Sequence, residues 1–248
     1  MARRFIVKDE NIIKGNDNLI TIYGEEVKHI QVLRKNIGDS ITINDGIYEI
    51  LEMKRDSIIL KYLEDAPVIG VPKTNITLYI ALLKTDKLDF VVQKAVEIGV
   101  KKIVPFTSSN VVVKLEDKAK SKRVEKLQKI ADEACKQCGR TDTIIVDEII
   151  SFKEMKKRLE KEEASLFAYE ASNDSLRREI NNIKTRGVRE ISIIIGAEGG
   201  FTPFEADELK AIESVKCVSL GSRILRAETA ALNLLSIIIY EMEEEICQ

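Results

Sequence analysis

The stretch Ile193–Leu232, IIIGAEGGFTPFEADELKAIESVKCVSLGSRILRAETAAL, decides how this chain is read. A strand over Ile191–Ile195 runs into the turn Gly196-Ala197-Glu198-Gly199-Gly200. The helix that follows has three start signals: Thr202 as N-cap, Pro203 at the first helical position, and Glu205 completing a Thr-x-x-Glu capping box. These fix the helix start beyond Gly200, so the backbone N–H groups of the turn are free to point at something other than their own helix. A short strand (Val215–Leu220) then leads to a second turn, Gly221–Ala227, and to a last helix with Glu228 and Thr229 near its start. Two strand ends thus deliver loops with small or polar residues where a core would want large apolar ones, the arrangement in which α/β proteins bind ligands.

Working outward, the pattern from Asn75 onward alternates strands (Asn75–Leu83, Lys101–Phe106, Thr143–Val146, Ser165–Tyr169) with helices (Lys87–Ile98, Glu116–Cys138, Phe152–Lys161, Asp174–Ile183). Alternation of this kind predicts a mostly parallel sheet covered on both faces. The last helix is apolar on nearly all sides, with Leu232, Leu234, Leu235, Ile237, Ile238 and Ile239, and is expected to lie in a deep core or against a partner chain. The first 70 residues read differently. Strands are expected at Arg3–Val7, Leu19–Tyr23, Ser40–Asn44, Ile47–Met53 and Ser57–Leu63, with one helix over Glu25–Lys35 and a hairpin through Asp45-Gly46. Short strands with one small helix suggest a compact barrel. Asp65–Pro72, with two prolines and a glycine, is the linker candidate.

With 248 residues and 44% hydrophobic content the chain has room for a small and a medium domain. Its apolar runs are too short to span a bilayer. MARRFIVKDENII carries no apolar core of a secretory signal, so a soluble cytoplasmic protein is expected. A net charge of −2 gives no global nucleic-acid signal. Lys114–Arg140 nevertheless holds nine basic against five acidic residues, while Glu241–Glu245 holds four glutamates. The four cysteines (Cys135, Cys138, Cys217 and Cys247) are too scattered for a disulfide framework. Cys135-Lys-Gln-Cys138 has metal-like spacing but no second pair, and no metal is expected. His29 is the sole histidine, and no nucleophile elbow accompanies it. The glycine turn has neither GxGxxG spacing nor a Gly-Lys-Ser/Thr phosphate loop, which disfavours NTPases and NAD-type oxidoreductases. In the second loop, Arg223 and Arg226 bracket Ile224-Leu225, which suits a pocket for an amphiphilic ligand.

Ile195-Gly-Ala-Glu-Gly-Gly200 followed by Leu220-Gly-Ser-Arg-Ile-Leu-Arg-Ala-Glu-Thr-Ala-Ala231 resembles the RsmE-type 16S ribosomal RNA uridine-N3 methyltransferases of the SPOUT superfamily. Three further stretches are similar to that family: His29-Ile-Gln-Val-Leu-Arg34, the run Lys84, Asp89, Gln93-Lys-Ala and Glu97-Ile-Gly-Val100, and Gln137-Cys-Gly-Arg140. Two positions depart from it. Ala197 stands where the family usually has proline, and Asn110 where it usually has arginine. The resemblance implies a PUA-like β-barrel over residues 1–70 that binds RNA. It implies a trefoil-knotted SPOUT α/β domain over 74–248 that binds cofactor and dimerises, a homodimer, and S-adenosylmethionine as methyl donor. The reaction implied is methylation of N3 of a uridine in 16S ribosomal RNA or the small ribosomal subunit. Its cofactor-binding residues would be Gly196, Glu198, Gly199, Gly200, Leu220, Gly221, Ile224, Leu225, Thr229 and Ala230. Arg226 would stabilise charge and Glu228 would serve as base, although a carboxylate at a helix start also serves the macrodipole. RNA contacts would fall to Arg3, Arg4, Arg34, Lys84, Lys94 and Arg140. Two alternatives stay open: methylation of another RNA position, and an RNA-binding module without catalysis.

Overall fold

The structure, a computed structural model, describes residues 4–16, 18–111 and 116–243. Arg3, Lys114, Cys247 and the last two tail glutamates lie outside the described residues. The chain divides into two compact units, Met1–Val71 with Cys135–Asp142, and Pro72–Ala134 with Thr143–Gln248.

In the first unit the strands are β1 (Arg4–Phe5), β2 (Ile12–Lys14), β3 (Leu19–Tyr23), β4 (Ser40–Ile43), β5 (Gly46–Met53) and β6 (Ser57–Asp65), with helix α1 (Glu25–Val32) between β3 and β4. They form one sheet in the order β1-β4-β5-β6-β3-β2, antiparallel except for the β1–β4 pair. Alternation along β3, β4 and β6 turns Ile20, Ile22, Ile41, Ile43, Ile58 and Leu60 inward, where Val27 and Ile30 of α1 join them. The β4–β5 hairpin turns one residue earlier than the sequence suggests: Ile43 pairs with Gly46, leaving Asn44 and Asp45 as the loop. Asn44 takes a left-handed φ of 48° there. Its amide accepts from Val7 N–H at 2.9 Å and donates to Val7 O at 2.8 Å, which holds the turn in that register.

The second unit contains β7 (Asn75–Ala81), α2 (Thr85–Ile98), β8 (Lys102–Thr107), most of α3 (Asp117–Cys138), β9 (Ile145–Val146), β10 (Ile150–Ser151), α4 (Phe152–Leu159), β11 (Ala164–Ala168), α5 (Leu176–Thr185), β12 (Glu190–Ile195), α6 (Pro203–Lys210), β13 (Val215–Val218) and α7 (Ala227–Met242). Its seven strands form a parallel sheet in the order β10-β8-β7-β12-β11-β13, with β9 also on β8. Burial on both faces explains why β7 and β12 read as near-continuous apolar runs: Ile76, Leu78, Ile80, Ile193 and Ile194 are fully buried. One consequence could not be read locally. The strands that carry the two loops, β12 and β13, are not neighbours; β11 lies between them and pairs with both.

The helix α7 is not buried all round. Ala231, Leu234, Leu235, Ile238 and Met242 face the core, and Leu232, Ile237 and Ile239 are half-buried. Thr229, Asn233, Ser236 and Tyr240 form an exposed stripe at helical spacing. Among the described residues no helix is long and apolar enough to cross a membrane.

Candidate functional site

A cavity of about 530 Å³ opens at the carboxyl ends of β11, β12 and β13. That size lies within the range of small-molecule sites. The turn after β12 supplies Gly196 to Phe201 and the loop after β13 supplies Ser219 to Arg226. The end of β11, between them, adds Ala168, Tyr169 and Glu170, which the sequence reading missed. The wall mixes apolar side chains (Ile195, Leu220, Leu225) with exposed glycine backbone, as a ligand with apolar and polar parts requires.

The glycine turn is held from several sides. The capping box forms as expected: Glu205 N–H donates to Thr202 Oγ1 at 3.2 Å, and Thr202 N–H donates to Glu205 Oε2 at 3.0 Å. Gly200 has φ +66°, and a Cβ on it would come within 3.0 Å of Glu170 Oε1, so a side chain there is both strained and obstructed. Asn110 donates to Gly199 O at 2.9 Å. The residue that departs from the family pattern therefore braces the turn.

Glu205 also accepts Ser109 N–H at 2.8 Å and is only 4% exposed. Burial pushes its carboxyl up, but the N–H groups of Ser109 and Thr202 and their hydroxyls outweigh this and hold it below the ordinary 4.5. A carboxyl depressed by folding contributes stability above its unfolded pKa and loses it as pH falls through the folded one. Glu205→Gln is accordingly expected to lower unfolding free energy by about 1–2 kcal/mol at neutral pH. The gap from wild type should close below about pH 4.5, as urea titrations across pH would show. A gap independent of pH would assign the loss to packing instead.

Of the sequence-predicted cofactor residues, Gly196, Glu198, Gly199, Gly200, Leu220, Gly221, Ile224, Leu225 and Ala230 all line the cavity. Thr229 is exposed and does not line it. Arg226 lines the cavity as the N-cap residue of α7, with no ion pair to it among the described residues. Glu228 does not line the cavity. Its Oε2 is buried without a hydrogen bond and lies 3.6 Å from Lys87 Nζ. The carboxylate expected to serve as base is thus held by the ammonium of Lys87, itself a cavity-lining residue.

Lys87 lines the cavity and was not foreseen. Its ammonium also lies 3.3 Å from Glu198 Oε1. Burial pushes the Glu198 carboxyl up, yet its own backbone N–H, the Lys87 ammonium and the Lys84 backbone N–H hold it below its usual value. A signal for Lys87 was present: a lysine in the first turn of a helix opposes the macrodipole and needs a reason from elsewhere in the fold.

The residues expected to contact RNA are dispersed. Lys84 and Arg34 are exposed, and Lys94 pairs with Glu97 at 2.8 Å. Arg4 pairs with Asp45 at 2.6 Å. Arg140 is corrected: it is 4% exposed and grips Asp142 through Nε at 3.0 Å and Nη2 at 2.8 Å, so the first unit uses its guanidinium internally. Asp89 links α2 to α3, accepting from Arg123 and Lys126 at 2.6 Å each. Cys135, Cys138 and Cys217 form no disulfide among the described residues. Among the described residues no group of three or more His, Cys, Asp or Glu side chains is placed to hold a metal.

Fold and cavity together define an RNA methyltransferase domain, and the family model so described matches residues 71–239. The chain is 36% identical over 235 residues to ribosomal RNA small subunit methyltransferase E of Bacillus subtilis (strain 168), covering 90% of each chain. It is 28% identical over 233 residues to the protein of the same name from Mesomycoplasma hyopneumoniae (strain 232), covering 94% of this chain and 97% of that one. Its fold matches the crystal structure of a ribosomal RNA small subunit methyltransferase E from Neisseria gonorrhoeae bound to S-adenosyl methionine, with a TM-score of 0.80, 26% identity, and coverage of 97% and 98%. The chain belongs to the ribosomal RNA small subunit methyltransferase E family.

Proposed function

We propose that this protein transfers a methyl group from S-adenosylmethionine to N3 of a uridine in 16S ribosomal RNA. The observation that carries the reading is the cavity at three parallel strand ends, walled by the glycine turn and the Ser219–Arg226 loop, with Arg226 on its edge. The residues present fit the donor. Gly196, Gly199, Gly200 and Gly221 offer backbone N–H and C=O groups at close approach, Leu220, Ile224 and Leu225 offer apolar cover for a nucleoside, and Ala230 leaves room at the start of α7. When bound, the donor supplies an electrophilic methyl on a sulfonium.

The protein's own work is then positioning and charge. Holding the two reactants in line removes the entropy of bringing them together. Uracil N3 is nucleophilic only once its proton has left, and the resulting negative charge spreads to the ring oxygens. The Arg226 guanidinium, unpaired among the described residues, is the group on the cavity wall suited to meet that charge. With the anion so stabilised, solvent water accepts the proton.

The same reading extends to the rest of the molecule. The first unit serves as a PUA-like barrel that binds RNA, and the second as a SPOUT domain whose loops after β12 and β13 belong to a trefoil knot. The protein works as a homodimer in the cytoplasm. In support, Ile224 of the loop after β13 is 87% exposed, and Tyr240, 72% exposed, lines an apolar groove between α5 and α7 with Leu176, Ile180 and Ile237, all surfaces a second copy would cover.

The test is transfer of labelled methyl to small ribosomal subunits that lack the modification, followed by mapping of the modified base. Label on N3 of one 16S uridine is expected. Label on a cytidine, or on transfer RNA and not the subunit, overturns the substrate.

A further inference from the structure

Lys87 sits where local physics disfavours it. It is the third residue of α2, and its N–H bonds back to Lys84 O at 3.1 Å, so its charge lies at the positive end of the helix. The fold places two carboxylates around it. Glu198 comes from the turn after β12, at 3.3 Å; Glu228 comes from the first turn of α7, just past the Ser219–Arg226 loop, at 3.6 Å. All three side chains are mostly buried, at 29% exposed for Lys87, 30% for Glu198 and 17% for Glu228. The carboxylates differ in their other partners. Glu198 also receives backbone N–H groups, whereas Glu228 Oε2 is buried with no hydrogen bond. Without Lys87, a buried carboxylate would lose the only opposite charge in reach among the described residues, and would face a second carboxylate across the gap.

We propose that Lys87 is a positioning residue that clamps the two cofactor loops together by holding on a single ammonium one carboxylate from the turn after β12 and one from the helix start that directly follows the Ser219–Arg226 loop. The inference rests on the reading of the cavity as the S-adenosylmethionine site. The clamp fixes the separation of the loops and so the shape of the pocket between them. It also explains the carboxylate at Glu228: its function is to be held, and the loop before it is held with it.

The experiment is calorimetric titration of S-adenosylmethionine into the full chain, without RNA. Wild type, K87M, K87R, E228Q and the double variant K87M/E228Q are compared, each checked for folding by circular dichroism. Lys87→Met is expected to weaken binding about tenfold, a coupling of ordinary size between linked groups. Lys87→Arg, which keeps the charge, should stay within about threefold. Adding Glu228→Gln to Lys87→Met removes the uncompensated carboxylate and should restore most of the affinity. A merely structural lysine would not respond to the second substitution. Should K87M not fold, Lys87→Gln is read in the same way. Wild-type binding with K87M unchanged, or a deficit that Glu228→Gln does not relieve, overturns the clamp. A wild type with no binding heat overturns the cofactor reading itself.

Discussion

Arg226→Ala is expected to lower methyl transfer by about 10²–10³-fold, the usual loss when one preorganised group facing transition-state charge is removed. Affinity for S-adenosylmethionine should stay within about threefold, because an interaction made only in the transition state affects turnover and not ground-state binding. The structure says why the fold should survive. Arg226 is the N-cap of α7, but its side chain makes no capping bond there; it is the backbone carbonyl that accepts Ala230 N–H at 2.8 Å. The side chain is exposed and spends nothing on the core. Arg226→Lys sharpens the test, since it keeps the charge and loses the planar fork. Partial recovery in the lysine variant marks a charge effect, and none marks geometry. Normal single-turnover rates in Arg226→Ala would remove this residue from the chemistry.

The neighbouring Arg223 and Glu228 show how far a one-dimensional reading carries. Composition at a strand end was enough to mark the second loop as a site, because charge interleaved with apolar residues has no place in a core. Which charges face the cavity is decided by strand order, and strand order is not local. Both loops do meet in one cavity, but β11 lies between β12 and β13 and brings Tyr169 and Glu170 into the wall. Glu228 belonged to the same motif as Arg226, yet two positions on it is absent from the cavity lining and sits against Lys87.

Elements with several turns or alternations were legible. The α6 start was marked by Thr202, Pro203 and Glu205, and β3 by its alternating isoleucines. Two- and three-residue strands such as β2 and β10 have no period to detect and exist only through their partners. The β4–β5 register slipped by one because Asn44, not Gly46, takes the left-handed position. That choice is made by Val7, 37 residues away in sequence. Arg140 looked like a phosphate ligand by residue type and became an internal brace through Asp142, two residues on.

Phe201→Ala should be a strongly damaging change to the second unit. Phe201 is 6% exposed and packs among Phe106, Phe152 and Phe167, with ring centroids 6.1, 6.3 and 5.0 Å away, the last edge-on. Truncating a buried phenylalanine costs about 3–5 kcal/mol, from lost transfer free energy and the cavity left behind. For a unit of this size that lowers the melting temperature by about 10 °C. The same ring sets the glycine turn: a Cβ on Gly196 would lie 2.8 Å from it, so the backbone at Gly196 rests directly against the Phe201 ring. Without the ring, the turn loses its floor at the point where it walls the cavity. S-adenosylmethionine affinity should therefore fall about tenfold or more even at temperatures where the variant is folded, since the pocket is no longer preorganised. Phe201→Leu keeps most of the volume but not the flat face, and should recover more stability than affinity. Differential scanning calorimetry with and without the donor separates the two effects. If Phe201→Leu recovered both in equal proportion, the ring would be acting only as core, and its support of the glycine turn would be disproved.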